Sequence, residues 1–382
     1  MEAMFSERWK KIRHFVFQSS EDDESKLQSN SKRHRKVSPA PKNPLILIRR
    51  PSIDGEHALE ETWDAVPTSS LQGVAEAFPL QEKENVGNKY SLQLDQFLGQ
   101  GSFGGVYVAV HWDLQKSVAV KRVEKAKLYS EEEKQAVQRE IENHSLVGSH
   151  RNVSRLLDHY ETPEHISIIF ELAECRDLGQ LLRRRRKLVE AEAKSVMRQL
   201  LAGVAHIHSC GVAHLDLNPA NILFTHDPEV PCESCGSAGP STQDALSLPH
   251  TSPAGLVVKI IDFGLSRKVP CEEYKRITGD PNKIPFTGLV GTEQYIAPEI
   301  VSRQPYGLPA DVWSVGIVAY KILTGMSPFI PPRVCLTRRP SFPPYLFNNV
   351  SIEAQGLINK CLQLQPHERE LPAQAVQHPW IL

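Results

Sequence analysis

The stretch His214-Leu215-Asp216-Leu217-Asn218-Pro219-Ala220-Asn221, followed downstream by Asp262-Phe263-Gly264, decides how this chain is read. It sets one aspartate five residues before an asparagine and adds a second aspartate later in the chain. Moving a phosphoryl group asks little covalent chemistry of a protein; it needs metal held against phosphates and an oriented hydroxyl. Asp216 suits the hydroxyl proton, while Asn221 and Asp262 suit the metal ions. Either fragment alone is ordinary turn or loop chemistry, so the reading depends on what surrounds them.

Upstream, Leu98 to Val106 reads G-x-G-x-x-G-x-V, through Gly99, Gly101, Ser102, Phe103 and Gly104. Glycines there let backbone amides approach phosphates with no Cβ in the way. Dinucleotide-binding turns share this motif, but they require a helix directly after the glycines. Val106-Tyr107-Val108-Ala109-Val110 is too β-branched and apolar for that, so a strand-glycine-strand flap is expected. Another short strand, Val118-Ala119-Val120, ends in Lys121, a candidate phosphate-gripping cation that needs an acidic partner. Ser130-Glu131-Glu132-Glu133 is a capping box, and beyond it Val137, Glu140, Ile141 and His144 share one helical face. A carboxylate among apolar neighbours on that face calls for a cation, and Lys121 is the candidate.

From about Leu92 to its end the chain resembles a eukaryotic serine/threonine protein kinase. Gly291-Thr292-Glu293-Gln294-Tyr295-Ile296-Ala297-Pro298-Glu299 matches the end of that family's activation segment. Asp311-Val312-Trp313-Ser314-Val315-Gly316 opens a helix apolar on all sides, expected to be buried and to stop at Gly325. Within the family the chain is most similar to the calmodulin-dependent group and its death-associated kinase branch. That rests on Leu215, on Asp262 to Arg267, on Leu323-Thr324-Gly325-Met326-Ser327-Pro328-Phe329 and on His378-Pro379-Trp380.

The resemblance implies an α+β, two-lobed fold: a small antiparallel sheet lobe with one regulatory helix, and a larger, mainly helical lobe. It places the small lobe at 90–171 and the large lobe at 172–382. It implies Mg-ATP as phosphoryl donor and protein serine or threonine hydroxyls as acceptors, in signalling related to apoptosis. The catalytic set is Asp216, Lys121, Glu140, Asn221 and Asp262, the last two also binding magnesium. Leu98, Val106, Ala119 and Leu223 sandwich the adenine, Phe170 is the gatekeeper, and Glu171 and Leu172 offer hinge backbone groups. Asp177 matches an acidic position near the ribose and basic substrate side chains, and Glu299 with Arg369 matches a buried structural ion pair.

Three positions depart from the pattern. Leu215 stands where the catalytic loop normally has arginine, which removes the cation that pairs with a phosphorylated activation loop. Asn218 replaces a catalytic-loop lysine, so slow turnover is expected. His144 replaces a large apolar residue stacked towards Phe263. The alternative is a pseudokinase, a nucleotide-binding scaffold that acts through its surface.

The 382 residues hold a two-lobed domain plus an extension. A net charge of -1 and 40% hydrophobic content fit a soluble protein with no global attraction to nucleic acid. A nucleic-acid module would have to use the basic run Lys32 to Lys36, which also reads as a nuclear import signal; the expected location is cytoplasmic or nuclear. No run is apolar enough to span a bilayer, and seven scattered cysteines fit a reducing compartment. A monomer is expected. Residues 1–89 read as a disordered extension, with Phe5, Trp9, Ile12 and Val16 at the spacing of a basic amphipathic helix able to dock on a partner. Residues 225–256 form a Pro/Ser/Gly-rich insert, expected to be a mobile loop, whose Cys232 and Cys235 read as free thiols unless His250 joins them on a metal. The chain ends just past Trp380, so no C-terminal autoinhibitory or calmodulin-binding segment is expected.

Overall fold

The computed structural model describes residues 45–49, 63–67, 84–101, 103–227, 256–269 and 286–382, the first two stretches as backbone. Strands β1 (Leu45–Arg49) and β2 (Trp63–Pro67) pair antiparallel, Leu45 opposite Pro67 and Arg49 opposite Trp63, in a unit that spans 1–82. The composition of the extension predicts no element there. The run Leu45-Ile46-Leu47-Ile48 nevertheless has the apolar, β-branched character that favours a strand. The amphipathic segment at 5–16 and the basic run at 32–36 lie outside the described residues.

The second unit, residues 83–382, holds both lobes. Its first strand, β3 (Glu84–Val86), pairs with β4 (Tyr90–Gln100), so the small lobe starts a few residues before position 90. β5 (Gly104–His111) and β6 (Lys116–Glu124) follow, then helix α1 (Glu131–Val147), β7 (Leu156–Glu161) and β8 (His165–Glu171). They form one antiparallel sheet in the order β3-β4-β5-β6-β8-β7. Side chains alternate across a strand, so Ile168 and Ile169 serve different layers. Ile169 joins Tyr90, Leu92, Ala109, Val118 and Val120 on one face. Ile168 joins Val123 and the α1 residues Val137 and Ile141 on the other. The capping box is formed: Ser130 Oγ accepts from Glu133 N at 3.2 Å, and Glu133 Oε2 accepts from Ser130 N at 3.0 Å. Val137, Glu140, Ile141 and His144 all turn inward.

The large lobe begins with α2 (Leu178–Arg185) and α3 (Glu190–Ser209), the latter burying Ala193, Val196, Met197, Leu200, Leu201, Val204 and Ile207 at its centre. Two short antiparallel pairs carry the loops that matter for chemistry. They are β9 (Val212–Ala213) with β12 (Arg267–Lys268), and β10 (Ile222–His226) with β11 (Leu256–Ile260). The β10–β11 ladder extends from Ile222↔Ile260 to His226↔Leu256, so the ends of the expected insert belong to strands. Cys232, Cys235 and His250 lie outside the described residues.

Helices α4 (Pro298–Val301), α5 (Pro309–Thr324), α6 (Pro344–Phe347), α7 (Ile352–Cys361) and α8 (Pro372–Ala375) complete the lobe. As its all-round apolar sequence requires, α5 is buried on nearly every side and stops at Gly325, whose φ of 77° is left-handed. Arg369 grips Glu299 through two bonds of 2.7 Å and lies 5.2 Å from the Trp313 ring centroid. Among the described residues, no helix is long and apolar enough to cross a membrane.

Candidate active site

Lys121 and Glu140 come from β6 and α1, and Asp262 from the loop after β11. The Lys121 Nζ lies 2.6 Å from Glu140 Oε1 and 3.2 Å from Asp262 Oδ1. Burial by itself would lower the ammonium, but the two carboxylates outweigh it and hold Lys121 above its ordinary value. Lys121 in turn pulls the Asp262 carboxyl below the usual range, against burial. One cation thus ties the small-lobe helix to the large-lobe loop. Asp262 takes a left-handed φ of 63°, and its Oδ1 accepts from Gly264 N at 3.2 Å.

The segment after β9 is held from below by Asp311, which opens α5 and is fully buried. Its carboxylate accepts from His214 N at 2.8 Å, from Leu215 N at 2.7 Å and from His208 Nε2 at 2.9 Å. Leu215, at φ 65°, buries its side chain and brings no cation to the loop.

Asp216 stands at the centre of a network. Its Oδ1 accepts from Thr292 Oγ1 at 2.6 Å and from Thr292 N at 3.0 Å, and its Oδ2 accepts from Asn221 Nδ2 at 3.0 Å. Asn218 Nδ2 donates to the Asp216 carbonyl at 3.1 Å and to Thr292 Oγ1 at 3.3 Å. The neutral amide therefore ties the loop to Thr292 without supplying charge. Burial lifts the Asp216 carboxyl above the usual carboxylate range, with the Thr292 hydroxyl acting the other way. A carboxylate raised in this way is a better proton acceptor.

The expected magnesium ligands are adjacent. Asn221 O accepts from Ile261 N at 3.1 Å, which sets Asn221 beside the residue before Asp262. Its amide nitrogen is committed to Asp216, so the amide oxygen is the atom left for a cation. An amide oxygen and a carboxylate are hard donors that fit a metal sharing its remaining positions with phosphates and water. Among the described residues no cluster of three or more His, Cys, Asp or Glu side chains forms a separate metal cage.

The residues expected to line the adenine separate from their neighbours by exposure. Val106, Ala119 and Leu223 are half-buried and Leu98 is exposed, whereas Val118, Val120, Ile222 and Phe224 are buried. Ala119 pairs with Phe170 across the β6–β8 ladder, and Asp177 bridges to Leu223. Asp177 also caps α2, accepting from Gln180 N at 2.7 Å. The Glu171 side chain is taken by Lys259 at 2.9 Å and by Arg155 N at 3.2 Å, which fixes the start of the Glu171–Leu172 hinge.

In the glycine flap, Gly101 N donates to Gly104 O at 2.7 Å, and Gly99 and Gln100 pair with Val106 and Gly105. A Cβ on Gly104 would fall 1.8 Å from the Arg122 carbonyl oxygen, so this glycine is required by backbone packing against β6. Half-buried Phe103 packs beneath, and Ser102 lies outside the described residues.

His144 fills the space between the lobes' aromatic rings. Its ring centroid is 5.2 Å from Phe170 and 4.3 Å from Phe263, and Phe263 meets His214 edge-on at 5.0 Å. Thr292, Asp311 and Lys259 receive no site role from sequence reasoning. Thr292 and Asp311 sit inside recognised motifs, but only the folded contacts reveal what they hold.

A lysine held by two carboxylates, a raised aspartate held by Thr292 and an asparagine amide on that aspartate form the arrangement expected of a phosphoryl-transfer centre. The protein kinase domain family matches residues 92–381, and the chain belongs to that family. It is 30% identical over 292 residues to the serine/threonine-protein kinase PLK4 of Drosophila ananassae, covering 76% of this chain and 33% of that protein. It is 32% identical over 331 residues to the probable serine/threonine-protein kinase fhkE of Dictyostelium discoideum, covering 82% and 41%. PLK4 of Drosophila virilis is 29% identical over 294 residues, covering 76% and 33%. The chain thus spans about a third to two fifths of the length of these curated relatives.

Proposed function

We propose that the chain transfers the γ-phosphoryl of ATP to serine or threonine hydroxyls of proteins. The observation that carries this is the chain of contacts Glu140–Lys121–Asp262 at 2.6 and 3.2 Å, with Asp216 held by Thr292 at 2.6 Å. Lys121 would meet phosphate oxygens, Asp262 and Asn221 would hold magnesium, and Asp216 would orient the acceptor hydroxyl and receive its proton. Bound there, magnesium would supply neutralisation of phosphate charge. Asn218 positions Thr292 and Asp216 but adds no positive charge where charge develops, which makes turnover slow.

The second reading, a nucleotide-binding scaffold, draws on Asn218 and Leu215. Incubating the purified chain with labelled ATP, magnesium and a generic basic protein separates the two. Label from the wild type and none from Asp216→Asn supports the enzyme. Tight ATP binding with no label from either supports the scaffold.

The finer assignment we propose is the death-associated branch of the calmodulin-dependent group, and through it a role in apoptosis. It rests on Leu215 and the Leu323–Phe329 and His378–Trp380 segments; the relatives above carry other subgroup names. Cell survival after expression of wild type against Asp216→Asn tests it, and imaging the same cells tests a cytoplasmic or nuclear location.

A further inference from the structure

Thr292 can steady Asp216 only if the segment leading to it is anchored, and Leu215 removes the loop cation that a phosphate there would use. The structure shows another anchor. Phe286 and Tyr306 exchange backbone bonds, Phe286 N to Tyr306 O at 3.2 Å and Tyr306 N to Phe286 O at 2.9 Å. Both rings are buried, their centroids 5.9 Å apart. The Arg267 guanidinium lies 5.7 Å from the Phe286 centroid and 5.9 Å from that of Tyr306. Arg267 Nη1 and Tyr306 Oη both donate to the Thr287 carbonyl at 3.3 Å.

Arg267 is fixed in its own right. It lies on β12 opposite Ala213, the residue immediately before His214. Five residues beyond Thr287, Thr292 reaches Asp216. In between, Gly291 runs so close to the catalytic loop that a Cβ on it would lie 2.6 Å from Leu215 O.

We infer that Arg267, Phe286 and Tyr306 form a cation–aromatic clamp that positions residues 286–292, and through Thr292 the catalytic Asp216, without a phosphate on that stretch. These are positioning residues; none touches the reacting atoms. The clamp's arrangement needs no covalent modification because, among the described residues, its cation contacts ring faces and a carbonyl. The one hydroxyl between Phe286 and Thr292 is that of Thr287. The inference rests on the kinase reading for its activity readouts.

The test compares wild type, Arg267→Gln, Arg267→Lys and Thr287→Ala in the full chain. Arg267→Gln is expected to lower kcat/KM for the protein substrate by roughly 2- to 5-fold, the range of a partly exposed cation–ring contact, with KM for ATP unchanged. Arg267→Lys, which keeps a cation over the rings, recovers most of that loss. Thr287→Ala and phosphatase-treated wild type keep full activity. Backbone amides of 287–292 should exchange faster with deuterium in Arg267→Gln and stay protected in Arg267→Lys. That second readout needs no catalysis, so a wild type without phosphotransfer would sink the kinase reading and leave the clamp testable. Should Arg267→Gln not fold, Tyr306→Phe, which keeps the ring and drops the Thr287 bond, is expected to show a smaller loss of the same kind. Unchanged kcat/KM and protection in Arg267→Gln, or a phosphatase-treated wild type that falls to its level, would overturn the clamp.

Discussion

His144 should make this kinase domain unusually sensitive to mild acid. Its Nε2 lies 2.5 Å from the Ser154 carbonyl, so the ring proton sits on Nε2. The other nitrogen, Nδ1, is buried with no hydrogen-bond partner among the described residues. A second proton has to enter at Nδ1, between the rings of Phe170 and Phe263 and away from water. Burial accordingly holds the imidazole down at about 4, from an ordinary 6.5, with the Ser154 carbonyl pulling weakly the other way. The unfolded chain therefore binds a proton that the folded chain refuses between those two values. Stability rises with pH through that window and falls as pH drops towards 4. At pH 5 the mismatch amounts to about 2 kcal/mol relative to neutral pH. Urea unfolding at about pH 7.5 and pH 5, followed by tryptophan fluorescence, measures it. Other histidines titrate as well, so the quantity that decides is a difference: His144→Leu and His144→Phe should each lose about 2 kcal/mol less than wild type over that interval. A wild type and variants with equal pH dependence would refute the reasoning, because the imidazole would then be protonated as readily inside the fold as outside it.

Arg369→Gln leaves the Glu299 carboxyl in the core with its two 2.7 Å bonds gone, and should cost about 3–5 kcal/mol by thermal or urea unfolding. Gly104→Ala drives a Cβ into the Arg122 carbonyl, which forces the flap off β6; a loss of about 1–3 kcal/mol and weaker ATP binding in calorimetry are expected. Asn218→Ala removes its bond to the Thr292 hydroxyl and its bond to the Asp216 carbonyl, and kcat should fall roughly tenfold with KM for ATP steady. Asn218→Lys, by contrast, should raise kcat if the missing charge is what slows turnover.

What could be read beforehand follows a simple division. Residues joined by local periodicity were legible: the capping box of α1 and the buried α5 with its glycine stop. The pairing of Lys121 with Glu140 was legible too, because a carboxylate on an apolar helix face calls for a cation, but the Lys121–Asp262 contact was not. Most other partners that meet only through the tertiary fold were not. Thr292 and Asp216 are far apart in sequence, and no spacing rule says that one hydroxyl and one amide of Thr292 both reach Oδ1. The same holds for Lys259 and Glu171. The strand pair at 45–49 and 63–67 was missed for another reason: averaging composition over a long Pro/Ser-rich segment hides five residues of strong β-propensity.

Leu215 shows how one position can lose a side-chain function and keep a backbone one. A leucine at φ 65° is strained, by roughly 1–2 kcal/mol, and something must hold it there. Asp311 does so, accepting from the amides of both His214 and Leu215. Gly291, packed onto the Leu215 carbonyl, closes the other side. None of these contacts uses the side chain of residue 215, so the turn that presents Asp216 survives any buried residue there. What an arginine would add is a charge for a phosphate. Its loss therefore removes a means of holding the activation segment while leaving the catalytic loop's geometry whole, and the guanidinium of Arg267 over Phe286 and Tyr306 stands where that segment still needs an anchor.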